Sequence, residues 1–86
     1  MVELILTDDV AVIVESGDEK SFAYTVVSSG EEIVSYETSA DVRKPAGKVG
    51  LRNVICRQVS GLEKESIESA LDEAVRKHEA DIGSLE

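Results

Sequence analysis

The chain has 86 residues, 42% of them hydrophobic, with 18 acidic side chains against 9 basic ones and a net charge of −9. That length holds one domain, residues 1–86, and the hydrophobic content is too high for a fully disordered chain. A single cysteine excludes an internal disulfide and a cysteine-rich zinc site. No apolar run approaches the ~20 residues that span a bilayer, and no signal peptide is visible, so a cytoplasmic protein away from membranes is expected.

The first half reads as strands, because apolar residues recur with a period near 2 and β-branched residues abound. Strands are expected at residues 2–7, 10–15, 20–27 and 31–38. The breaks are Asp8-Asp9, Ser16-Gly17-Asp18-Glu19 and Ser28-Ser29-Gly30. Breaks this short require antiparallel neighbours, since a parallel crossover needs about a dozen residues, so the four strands form a meander. Gly30 suits the left-handed position of a three-residue hairpin loop.

Residues 40–50 hold the one proline, Pro45, with Gly47 and Gly50, and read as the one long connection. A fifth strand is expected within residues 51–59, where Val54, Ile55, Cys56 and Val59 cluster. A C-terminal helix follows within residues 60–82. Ser60 and Glu63 match a capping box, and Ile67, Ala70, Leu71, Ala74, Val75 and His78 fall on one helical stripe. Asp72 with Arg76 and Glu73 with Lys77 have the spacing of ion pairs along the helix, and Gly83 is a plausible stop. The fold class is α+β: an antiparallel meander of four or five strands in two layers with one C-terminal helix.

Minimal hairpin loops pair Leu6 with Ala11, Leu4 with Ile13, Ile13 with Phe22 and Phe22 with Tyr36. One sheet face then collects Leu4, Leu6, Ala11, Ile13, Phe22, Tyr24, Val26, Val34 and Tyr36 and seats the helix. The other collects Ile5, Val10, Val12, Val14, Ala23, Val27 and Ile33. One helix cannot cover both. Either the second face closes on itself or under residues 40–50, or it packs on another copy or a protein partner. The second reading makes Ile5, Val10, Val12, Val14, Val27 and Ile33 a candidate interface and expects a dimer, strengthened by moderate salt, that Val12→Asp dissociates.

Charge is unevenly spread. Residues 1–40 carry a net −8, residues 41–60 a net +4 and residues 61–86 a net −5. Arg43, Lys44, Lys48, Arg52 and Arg57 either neutralise acidic neighbours or form an anion site. Duplex nucleic acid is disfavoured, because acidic flanks repel the backbone and no basic stripe runs along the helix. Catalytic constellations are missing: His78 and Cys56 stand apart, and no phosphate-cradling, nucleophile-elbow or zinc-protease motif occurs. Asp8 with Glu65 or Glu68 is the one carboxylate pairing that suggests metal-assisted hydrolysis, and chance meetings of carboxylates are common in so acidic a chain. The reading is a small acidic, non-catalytic interaction module without a cofactor, acting as a homodimer or with a protein partner. The alternative is a module that uses residues 43–57 to bind a small anionic or phosphate ligand or single-stranded nucleic acid.

Overall fold

Four strands pair in chain order in a computed structural model that describes residues 1–17 and 21–85. They are β1 (Val2–Ile5), β2 (Val10–Ser16), β3 (Phe22–Ser28) and β4 (Glu31–Thr38), all antiparallel. The expected start of the third strand at Lys20, and part of the loop before it, lie outside the described residues. Between β3 and β4 the loop is two residues long, not three. Ser29 and Gly30 have φ of 53° and 82°, the left-handed pair that matches strand twist in a tight hairpin.

The fifth strand is replaced by a helix. α1 spans Pro45–Gln58, α2 Lys64–Lys77 and the short α3 Glu79–Gly83. The single C-terminal helix is therefore two long helices and a short one, while the α+β class stands. Pro45 starts α1 because the first helical position needs no N–H and favours proline's fixed φ. Leu51 and Ile55, one turn apart, are its buried residues along with Gly47. In α2 the stripe Ile67, Leu71, Ala74 and Val75 is buried as its spacing requires. The capping box does not form. Glu63 is the N-cap, no side chain caps the helix, and Ser60 belongs to the turn that Gly61 makes at φ 90°.

Both long helices pack on one side of the sheet, and their buried residues join Val2, Leu4, Val12, Phe22, Tyr24 and Val26 in a single core. Strand register decides which side that is. Ile5, not Leu6, pairs with Ala11, because Thr7 Oγ1 accepts the N–H groups of Asp9 and Val10 and lengthens the first turn. Ile13 pairs with Thr25 and Phe22 with Thr38. The faces of β1 and β3 agree with the expectation, β4 agrees except at Ile33, and β2 is reversed. Val10, Val12 and Val14 therefore lie in the core rather than on a free face, and Ala11 and Ile13 take their place. A bulge between Val26 and Val27 draws Ile33 against the core as well.

Candidate interaction surface

The basic segment becomes α1 and the turn before it, and its charges are largely engaged. Asp41 and Arg43 form a forked pair, with Nε 3.0 Å from both carboxylate oxygens and the Arg43 backbone N–H 2.9 Å from Oδ1. The guanidinium holds the Asp41 carboxyl below its ordinary range. Lys48 pairs with Asp72, and Arg52 Nη1 lies 2.9 Å from Glu68 Oε2. Lys48 and Arg52 are one turn apart on α1, as are Glu68 and Asp72 on α2. Two antiparallel helices thus zip basic against acidic. Asp72 turns across to α1 rather than along α2 to Arg76, and Glu68 pairs with Arg52.

Lys44 and Arg57 have no ion-pair partner among the described residues. They stand at opposite ends of α1, about 20 Å apart at the helical rise of 1.5 Å per residue. The five bases are not gathered into one anion pocket. The hollow beside Asp41, Arg43 and Lys44 also contains Glu79, so acids balance its bases. Among the described residues no cluster of three or more His, Cys, Asp or Glu side chains could hold a metal ion.

Tyr24 fixes the turn into α1. Its hydroxyl donates to the Ala40 carbonyl at 2.8 Å and accepts the Val42 N–H at 3.0 Å. Burial pushes its pKa up to about 12, so the phenol stays protonated and keeps both bonds. Tyr36 stacks beside it at 5.5 Å between ring centres, and burial raises its pKa too. The aromatics are inner-face residues and offer no platform for stacking nucleic-acid bases.

Among the described residues no helix covers the other side of the sheet. Cross-strand rows there read Ile5, Ala11, Val27, Glu32, then Glu3, Ile13, Thr25, Ser35, then Glu15, Ala23, Glu37. Ile5 is 57% exposed, while Ala11, Ile13, Ala23 and Val27 are half-buried by their neighbours on the pleat. Thr25 and Ser35 hydroxyls share a hydrogen bond at 3.2 Å. Of the six residues expected at an interface, Ile5 and Val27 lie on this open side. Ala11 and Ile13 were missed, although Glu15 shares their parity and a charge marks the side that faces water. Glu3, Glu15, Glu32 and Glu37 frame the patch, and none of the four strands carries a lysine or arginine. No helix among the described residues is long and apolar enough to cross a membrane. This chain matches no protein-family model, no curated protein and no solved structure.

Proposed function

We propose that the protein is a non-catalytic interaction module whose open sheet face binds a basic, partly apolar surface of another protein. The observation that carries this reading is the patch of Ile5, Ala11, Ile13 and Val27 framed by four glutamates on strands that themselves carry no lysine or arginine. Apolar area supplies affinity, and complementary charge supplies orientation and on-rate. A second copy brings another −9 and the same glutamates, which oppose pairing face to face. The anion-site alternative has less support, because Arg43, Lys48 and Arg52 are already paired with carboxylates.

Titration with an amphipathic leucine–lysine peptide, followed by amide chemical shifts, tests this. The expected shifts centre on Ala11, Ile13, Thr25 and Val27 and weaken as salt rises. Ile13→Asp makes the protein more acidic, so generic charge attraction would strengthen binding. The proposal requires it to weaken binding. Shifts scattered over α2, or tighter binding by Ile13→Asp, contradict it. A solution mass of two chains without peptide identifies the occupant as a second copy instead.

A further inference from the structure

We infer that the open face extends onto the free edge of β1, where the protein takes an extended basic peptide as an added strand. This deepens the reading above, on which it rests, by naming the form of the ligand. Leu6 N–H bonds to the Val10 carbonyl at 3.0 Å, which marks the even residues of β1 as those facing β2. Hydrogen bonding alternates along an antiparallel strand, so Glu3 and Ile5 turn their N–H and C=O groups outward. Among the described residues no strand lies beside them.

The two edges of the sheet differ. β4 is bent by its bulge and bears Glu31, Glu32 and Glu37, features that discourage an incoming strand. β1 pairs over its four residues without a register shift and has Glu3 as its one charge. Two hollows adjoin it on the helix side, of about 210 and 470 Å³, and both are lined by Ile5 and His78. An added strand alternates its side chains. One set drops into these hollows, and the other continues the patch of Ile5 and Ile13.

Charge selects the peptide. Glu3, Glu73 and Asp81 line the hollows against Lys77, and His78 Nδ1 lies 3.3 Å from Asp81 Oδ2. Lysine or arginine in the helix-side set meets Glu73 and Asp81, valine-like residues in the other set lie over Ile5, and Glu3 at the strand edge attracts the peptide's positive charge as a whole. A second copy presenting its own β1 would bring Glu3 against an edge that already carries Glu3, so a basic peptide fits better.

The probe is a capped peptide of alternating valine and lysine, titrated into the full chain with amide hydrogen exchange as the readout. Saturating peptide is expected to slow exchange at Glu3 and Ile5. Ile5→Pro deletes one outward N–H and leaves the β2 ladder intact, and it should weaken binding roughly tenfold or more. Glu3→Lys keeps every backbone bond and should also weaken binding, so the outcome does not depend on how the proline variant folds. Unchanged exchange at Glu3 and Ile5, or wild-type affinity in Glu3→Lys, overturns the edge site. If the leucine–lysine peptide still binds Ile13 and Val27 in that case, the open-face reading survives; if neither peptide binds, both fall.

Discussion

Gly47 sits where α1 crosses the chain that leads into it. A β-carbon there would overlap the Asp41 carbonyl, and backbone cannot swing aside as a side chain can. Gly47→Ala should therefore cost at least the ~3 kcal/mol at the upper end of overpacking. Gly50, one turn on in the same helix, has open space around it. Gly50→Ala should stabilise by about 0.5–1 kcal/mol, the ordinary helix preference of alanine over glycine. Urea midpoints of the two variants moving in opposite directions check this. Tyr24 gives a second prediction. Its phenol is pushed up to about 12 in the folded chain against about 10 when unfolded, so the unfolded state loses its proton first. Stability should be complete below pH ~10 and fall between pH ~10 and ~12. Tyr24→Phe should shrink that alkaline step to the part the buried Tyr36 contributes, and cost about 1–3 kcal/mol, since the Ala40 carbonyl and Val42 N–H lose their partner. An alkaline step of undiminished size in Tyr24→Phe would assign it elsewhere. Asp41 acts at the opposite end of the scale. Its lowered pKa contributes stability above the unfolded carboxyl value, lost as pH falls through the folded one.

Among the elements, α2 was legible because Ile67, Leu71, Ala74 and Val75 repeat at helical spacing and all four are buried. Leu71→Ala should cost on the order of 2–5 kcal/mol, for it leaves a cavity under the sheet. Ser60→Ala should stay within about 0.5 kcal/mol, because Ser60 caps nothing. Equal losses in the two variants would contradict the turn at Gly61. α1 was hidden for physical reasons. Pro45 reads as a breaker unless it is placed at a helix start, and Val54, Ile55 and Val59 favour strands by intrinsic preference. Tertiary packing of Leu51 and Ile55 overrides that preference. The better signal was charge: Lys48 and Arg52 match Glu68 and Asp72 in spacing and opposite order, as in an antiparallel helix pair. Such partly exposed pairs are worth only about 0–1 kcal/mol each, so they set helix register more than stability.

For the molecule as a whole, one reversed strand changes what the surface can do. The meander, the α+β class, the inner faces of β1 and β3 and that of β4 except at Ile33 could be read from alternation alone. β2 could not, because Val10–Val14 is apolar at every position and parity then rests on the length of the first turn. Thr7 sets that length through its hydroxyl, a local bond that composition does not reveal. As a result Val10, Val12 and Val14 close the core under two helices, and Ile13 stands with Ile5 and Val27 on a glutamate-framed face. That division underlies both the proposed interaction and the edge site. Denaturation of two variants with the same change at adjacent residues, Val12→Asp and Ile13→Asp, tests it most directly. Val12→Asp places a carboxylate in the core, which should lower stability by more than about 4 kcal/mol, enough to unfold a domain this small. Ile13→Asp should remain folded, with a midpoint within about 1 kcal/mol of the parent and an unchanged helical signal. A folded Val12→Asp beside an unfolded Ile13→Asp would mean that the valines are the free face, and would contradict the account.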